Sequence, residues 1–153
     1  MRRIPEALFF VVLTLWVGGL WAIGYLVAPT LFATLADRHL AGMIAGKLFT
    51  LICWVGLGCG AYLLSFMLFS QGSTVLKRRA FWVVLVMLLL TAVGQFGIHP
   101  LLAQLKADAL PREVMDSVLR DRFVAWHGIS SILYLLQSLL GLMVVVCAGR
   151  GAR

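Results

Sequence analysis

Charged residues are scarce in this chain: Asp, Glu, Lys and Arg together make up only 12% of its 153 residues. A soluble domain has roughly a quarter of its residues charged, so this composition excludes an ordinary soluble fold. Apolar residues reach 62% and the mean hydropathy is +1.00. We therefore expect most of the chain to lie within a lipid bilayer.

Cysteine is also rare, and the three cysteines Cys53, Cys59 and Cys147 form no C-x-x-C pair. We place the first two within a span and the third at a cytoplasmic helix end, so no disulfide framework is expected. The spans lack a phosphate loop, paired carboxylates and a nucleophile with a neighbouring base, which disfavours a hydrolase or an ATP-driven pump. Basic residues are scattered over short flanks, so nucleic-acid binding is not expected.

Four apolar stretches are each long enough to cross a bilayer, which takes about 20 helical residues. They cover residues 7–28, 48–70, 79–101 and 123–148. The first runs past the usual length of a signal peptide and lacks a clear cleavage site, so we expect it to stay in the protein. The sequence predicts an all-α integral membrane four-helix bundle that forms one domain over residues 1–153.

The basic residues are distributed unevenly between the two sides of these spans. The N-terminus, the loop between the second and third spans and the C-terminus carry seven cations and one acid, a net charge of +6. The opposite side carries six cations and five acids, a net charge of +1. Because short cationic loops stay on the cytoplasmic side, both termini are predicted to be cytoplasmic. We expect the cytoplasmic (inner) membrane of a bacterium.

Helical extensions are predicted on the outer side. Pro111 suits a helix start and precedes apolar residues that run on into the fourth span. The second helix is expected from about His39, after a break that Pro29 and Asp37 favour. The third helix is expected to continue through Leu105. Short cytoplasmic turns and a helical outer collar follow from this pattern.

Polar or small residues recur at helical spacing along each span, and such residues should turn away from lipid toward the bundle interior. The four stripes are Thr14, Gly18, Trp21 and Tyr25; His39, Met43 and Lys47; Thr91, Gln95 and His99; and His127, Ser131, Tyr134 and Ser138. Counted from the cytoplasmic ends, Lys47, His99 and His127 all lie about 30–35 Å up, near the outer interface. These stripes predict a polar cleft that opens to the outer side. Its expected ligand-binding residues are Lys47, Gln95, His99, His127, Ser131 and Tyr134.

Three classes of function fit such a cleft. A soft metal such as copper could be bound by His99 and His127 with Met43 nearby. Haem or another porphyrin could instead be ligated by the two histidines, with Lys47 holding its propionates, and a redox enzyme would be a variant of this reading. In the third class the polar stripes only set helix register in a structural or accessory bundle. The sequence favours a non-enzymatic protein that binds or handles a soft metal or small ligand, and it leaves open whether the bundle forms a homo-oligomer.

Two groups of residues carry a family resemblance: Arg38-His39, Gly42 and Lys47-Leu48-Phe49 near the second span, and His127-Gly128-Ile129-Ser130-Ser131 at the fourth. They resemble the transmembrane protein 205-like family, also called domain of unknown function 4149, and the likeness covers about residues 8–146. The segment from Trp16 to Pro29 fits as well. The resemblance implies the four-span fold and a loose association with metal or platinum-drug handling. Its layout is similar to that of copper-resistance-D and protoporphyrinogen-oxidase-like membrane bundles.

Overall fold

The structure is a computed structural model that describes residues 3–109 and 118–151. Within these segments the chain is helical apart from short connections, and the all-α prediction is confirmed there. The elements in chain order are α1 (Arg3–Trp21), a π-helical segment π1 (Ala22–Val27), α2 (Ala28–Thr34), α3 (Arg38–Gln71), a 3₁₀ turn (Gly72–Lys77), α4 (Arg79–Val93), a second π-helical segment π2 (Gly94–Ile98), α5 (His99–Asp108) and α6 (Arg120–Gly151).

Four helical segments are long and apolar enough to cross a membrane, as the sequence predicted. Their bounds are Pro5–Thr34, Arg38–Lys77, Arg79–Asp108 and Arg120–Ala148, so the helices reach further than the apolar runs alone. Helix α3 begins one residue before His39, close to the predicted start. The third span continues through Leu105 to Asp108. Residues 111–117 of the predicted Pro111 helix lie outside the described part of the chain.

The four spans pack as an antiparallel bundle in which α1 and α4 each contact both α3 and α6. We call the end that carries Arg3, the α3–α4 turn and Gly151 the terminal end. The other end, which carries the α2–α3 and α5–α6 connections, is the opposite end. Consecutive spans are neighbours because their connections are short.

Helix α3 has a defined start and stop. Asp37 is its N-cap: the residue is extended, and its side chain accepts a hydrogen bond from the backbone N–H of Leu40 at 3.0 Å. A capping carboxylate satisfies one of the orphan N–H groups of a first helical turn. At the other end Gly72 adopts φ 58°, a conformation that favours glycine, and the chain turns into α4. Val75, in this turn, is fully buried against the core.

The predicted break before α3 lies at residues 35–37, which include the capping Asp37, but Pro29 does not cause it, because the helix runs through this residue to Thr34. The π1 segment lies immediately before α2 and Pro29, and π2 lies in the same way before Pro100. Proline has no N–H to donate and its ring crowds the carbonyl four residues earlier. A π-helical turn, with its longer hydrogen-bond spacing, widens the helix just before the proline, so the helix axis continues.

Large apolar side chains fill the terminal half of the bundle. Trp16, Leu63, Val84 and Met87 are the centre of a core that has contributions from every span. Trp16 packs against α3 where Gly56 and Gly60 leave room. A Cβ at Gly56 would be 2.5 Å from the Trp16 Nε1, and one at Gly60 would be 3.0 Å from its ring. The small-xxx-small spacing of these glycines therefore serves close packing.

Two of the four polar stripes predicted to face the interior do not face it. On α1 the buried face is Leu13, Trp16, Val17 and Leu20, and the residues of the predicted stripe (Thr14, Gly18, Trp21 and Tyr25) are exposed. On α3 the buried positions are Ala41 and Ala45, and His39, Met43 and Lys47 are exposed. Packing decides both cases: Trp16 needs the space above Gly56, and small alanines allow α2 to lie against α3.

Candidate functional site

A partly open cavity of about 40 Å³ lies between the four spans, in the half nearer the opposite end. All four spans contribute to its lining, which consists of Trp16, Leu20, Ile52, Cys53, Leu90, Thr91, Gly94, Ile98, His99, Ser130, Leu133, Tyr134 and Gln137. We call this space the polar cavity after the hydroxyl, imidazole and amide groups in its lining, although most of its surface is apolar. A water takes up about 10–15 Å³ on this measure, so the cavity has room for roughly three waters or a molecule of similar size.

A buried pair of side chains links α4 and α6 at the wall of the polar cavity. Gln137, which is only 5% exposed, donates from its Nε2 to the Thr91 hydroxyl at 2.6 Å. Thr91 in turn donates to the Met87 carbonyl of its own helix at 2.8 Å. The Thr91 hydroxyl and the Gln137 amide are therefore each held in one orientation. Amides at mid-membrane depth are costly unless they are paired in this way.

His99 lines the polar cavity from the first turn of α5. Its Nδ1 lies 3.4 Å from the Thr50 hydroxyl of α3, and that hydroxyl also donates to the Gly46 carbonyl at 3.0 Å. Since the single Thr50 proton is used on Gly46, the oxygen can accept a hydrogen bond from Nδ1–H. This arrangement favours the tautomer with the proton on Nδ1, which leaves the Nε2 lone pair of His99 available to a ligand.

Tyr134 closes the cavity against α1. Its hydroxyl donates to the Leu20 carbonyl at 2.5 Å, beside the π1 segment. Its ring occupies the space that a side chain at Gly24 would fill. The Trp21 indole donates in the other direction, to the Ser138 carbonyl of α6 at 3.4 Å. These two crossed hydrogen bonds tie α1 to α6 next to the cavity.

Two buried polar atoms on residues in or next to the cavity lining have no hydrogen-bond partner: the Nε1 of Trp16, which faces Gly56 of α3, and the Oε1 of Gln95. Trp16 is itself a lining residue and is fully buried. A buried donor or acceptor without a partner costs about 1–3 kcal/mol. The interior thus retains hydrogen-bonding capacity that its own side chains do not use.

The structure brings together only some of the predicted site residues. His99 and Tyr134 line the polar cavity, and Gln95 is buried nearby in π2. Lys47, Met43, His127 and Ser131 are exposed and do not line it. The expected convergence of His99 and His127 on one cavity is therefore wrong. The fourth stripe turns inward only from Tyr134 downward, and Ser131 instead donates back to the His127 carbonyl at 2.9 Å.

Gln137, Cys53 and Lys106 were missed by the sequence reasoning. Gln137 carried a usable signal, because an amide in the middle of an apolar span is rarely placed against lipid. Cys53 carried none, since a cysteine behaves as a small apolar residue in a core. Lys106 lay beyond the predicted end of the third span.

A second cluster lies at the opposite end, outside the cavity. The Lys106 ammonium of α5 lies 3.5 Å from the Gly42 carbonyl of α3 and 5.6 Å from the ring centroid of Phe123 on α6. The His127 ring stacks on the same Phe123 ring, with 5.8 Å between centroids and 10° between planes. We call Lys106, Phe123, His127 and the Gly42 carbonyl the rim cluster.

Neither haem nor a fully coordinated metal fits these sites. A porphyrin needs a pocket of several hundred Å³, and the polar cavity offers about 40 Å³ with His99 as its one histidine. Within residues 3–109 and 118–151, no three His, Cys, Asp or Glu side chains lie close enough to hold a metal ion. Two residues with side-chain atoms that bind soft metals, Cys53 and His99, do line the same cavity.

The sequence profile of a domain of unknown function, number 4149, matches residues 11–111, about two thirds of the chain. The chain belongs to this family. The match runs from α1 to the end of α5 and includes Arg38-His39 and Lys47-Leu48-Phe49, but it stops before the His127 segment. Comparison with curated proteins and with solved structures found no match.

Proposed function

We propose that this protein is a membrane-embedded binding protein whose polar cavity takes one small, neutral, hydrogen-bonding molecule. The observation that carries the proposal is the cavity itself: Thr91, His99, Tyr134 and Gln137 converge on it inside an otherwise apolar bundle. Polar side chains inside a membrane are expensive and mark functional sites by default.

The lining chemistry supports a neutral ligand. No Asp, Glu, Lys or Arg is among the residues that line the polar cavity. Burying an ion without a charged partner or dense hydrogen bonding costs far more than burying a neutral polar molecule. With room for about three waters, the cavity suits a compact molecule of a few heavy atoms.

The proposal is for binding and not for passage across the membrane. Beyond Trp16, toward the terminal end, the interior is closed by Leu63, Val84, Met87 and Val144, each at most 2% exposed. These side chains offer no hydrogen-bond donor, and the thioether of Met87 is their only acceptor and a weak one. A ligand that enters from the opposite end therefore meets an apolar barrier below the cavity.

The orientation of the bundle is part of this proposal. The net charge of +6 at the terminal side against +1 at the other supports cytoplasmic termini. In the cytoplasmic membrane of a bacterium the polar cavity would then lie in the outer half of the bilayer, and its ligand would arrive from outside or from the membrane.

A soft metal ion is the second candidate, favoured by one observation. Cys53 and His99 line the same small space, and thiolate and imidazole are ligands that Cu(I) accepts. Two donors give a weak site compared with three or four. More of the residues that line the cavity support a neutral molecule than support a metal ion.

Thiol labelling of the purified protein in lipid nanodiscs tests the cavity directly. Methyl methanethiosulfonate is a small, neutral thiol reagent. In a C59A/C147A background the remaining Cys53 should react about tenfold faster than Cys59 in a matched C53A/C147A background. Cys59 is the control because it is buried in the core and does not line the cavity.

Two further labelling experiments distinguish a neutral ligand from a metal ion. A bulky maleimide should leave Cys53 unlabelled, since the space is small. Cu(I) should slow Cys53 labelling only if a metal is held there, and His99→Ala should then remove the protection. Equal rates for Cys53 and Cys59 would refute the open polar cavity. Strong Cu(I) protection that depends on His99 would replace the neutral ligand by a metal.

A further inference from the structure

The rim cluster holds a cation in a fixed position at the opposite end of the bundle. Lys106 is half-buried, and the Gly42 carbonyl and the Phe123 ring each orient its ammonium. A cation over an aromatic face is stabilised by the ring quadrupole. Such contacts restrict a side chain that would otherwise extend freely into solvent.

His127 places a second nitrogen-bearing side chain at the same point. It is exposed, it stacks on Phe123, and it is close enough to Lys106 for their charges to interact. An imidazole N–H and an ammonium beside it are both hydrogen-bond donors. Together they present donors to one approaching anion.

No carboxylate neutralises this cation within residues 3–109 and 118–151. The hydrogen-bond partner of Lys106 is a neutral carbonyl, and its ammonium acts electrostatically on another base, His127. Among the described residues at this end, five Lys or Arg face three Asp, and Asp37 already caps α3. Among the described residues, the rim cluster is thus a site of positive potential without a counter-ion.

The surroundings of the rim cluster are apolar on one side. A Cβ at Gly42 would be 3.9 Å both from the Lys106 Nζ and from the ring of Phe32. Phe32 is 47% exposed at the end of the first span. A cation beside an exposed apolar ring at a helix end suits a molecule with an anionic head and an apolar tail.

From these contacts we propose that Lys106 and His127 bind the phosphate of an anionic lipid headgroup, with the acyl chain passing along the face of Phe32. Charge-assisted hydrogen bonds from an ammonium and an imidazole N–H to phosphate oxygens are stronger than neutral ones. This lipid site is separate from the polar cavity and does not depend on what the cavity binds.

Native mass spectrometry of the detergent-purified protein, titrated with phosphatidylglycerol or phosphatidylcholine, measures the binding. The wild type should retain phosphatidylglycerol at lower lipid concentration than phosphatidylcholine. Lys106→Gln should weaken phosphatidylglycerol binding about fivefold, the effect expected of one cation near a headgroup. Lys106→Arg should keep most of the affinity, because the charge remains.

Lys47→Gln is the matched control, since Lys47 is an exposed lysine toward the same end and its loss changes the net charge equally. It should reduce binding much less than Lys106→Gln. Equal losses in the two variants, or no preference for phosphatidylglycerol, would overturn the proposal. Inorganic phosphate at millimolar concentration should fail to displace the lipid. Displacement would show a site for free phosphate and overturn the assignment to a lipid.

Discussion

Single glycines decide where the large side chains of this bundle can go. Trp16 is the largest fully buried side chain, and its ring lies against Gly56 and Gly60 of α3. In the same way the Tyr134 ring needs the absence of a side chain at Gly24. Because lipid provides no hydrophobic drive between helices, such close approaches supply much of the packing energy.

Gly56→Ala should therefore destabilise the fold. The added Cβ would lie 2.5 Å from the Trp16 Nε1, and a closely packed indole ring in the core cannot shift without disturbing its neighbours. We expect a loss of about 1–3 kcal/mol in the free energy of unfolding. Denaturation in detergent, followed by tryptophan fluorescence, measures the change.

Gly58→Ala is the control for helix propensity, since it lies on the same helix and a Cβ there meets nothing within 4 Å. It should be neutral or slightly stabilising. If both variants behave alike, the contact between Trp16 and Gly56 is not what holds α1 to α3.

At the scale of single residues, the sequence indicated which residues would matter better than it indicated which residues they would contact. The small-xxx-small spacing of Gly56 and Gly60 is typical of a packing face, and the structure shows which ring fills it. His99 and Tyr134 were predicted as site residues and do line the polar cavity. His127 was wrongly placed there, because depth along a helix can be counted from sequence and rotation toward a neighbour cannot.

Rotation is set by elements that the helical period does not describe. Each π-helical segment adds a residue to its turn, so side chains beyond π1 and π2 no longer follow the spacing of α1 and α4. Three of the four residues of the first stripe precede π1, so this stripe was misread because of the packing of Trp16 alone. Both π-helical segments lie just before a proline, Pro29 or Pro100, and the proline gives a physical reason for the π-helical turn. The same arrangement could be looked for in other sequences.

The start of α3 was predictable from its capping residue, Asp37. Substitutions at this residue test how much the cap stabilises the helix. Asp37→Ala removes the acceptor for the Leu40 N–H and should lower stability by about 0.5–2 kcal/mol. Asp37→Asn should retain most of it, because an amide oxygen also caps. Thermal denaturation in detergent at constant pH measures the difference.

Asp108→Ala serves as the comparison for Asp37→Ala. Asp108 is an exposed acid at the last turn of α5, where the helix dipole disfavours negative charge. Its removal should leave stability unchanged or slightly higher. Equal destabilisation by both changes would mean that net charge at this end matters more than the cap.

Across the whole molecule, the two ends differ in interior as well as in charge. The terminal half is a dry core around Leu63 and Met87, and the other half contains the polar cavity and the rim cluster. Composition and hydropathy were enough to predict four spans, since a bilayer imposes their length. The position of the cavity was not predictable, because it depends on which side chains from four helices meet.

The charge asymmetry leads to the last prediction, which fixes the orientation of every feature described above. Short loops rich in Lys and Arg remain on the cytoplasmic side, so a reporter active only in the cytoplasm should give signal when fused after Arg153. The same reporter inserted after Asp108 should be silent. An insertion after Ser73, in the turn before α4, controls for the effect of an internal insertion and should be active. Activity after Asp108 with silence after Ser73 would invert the bundle, place the polar cavity in the inner leaflet and turn the rim cluster toward cytoplasmic lipid.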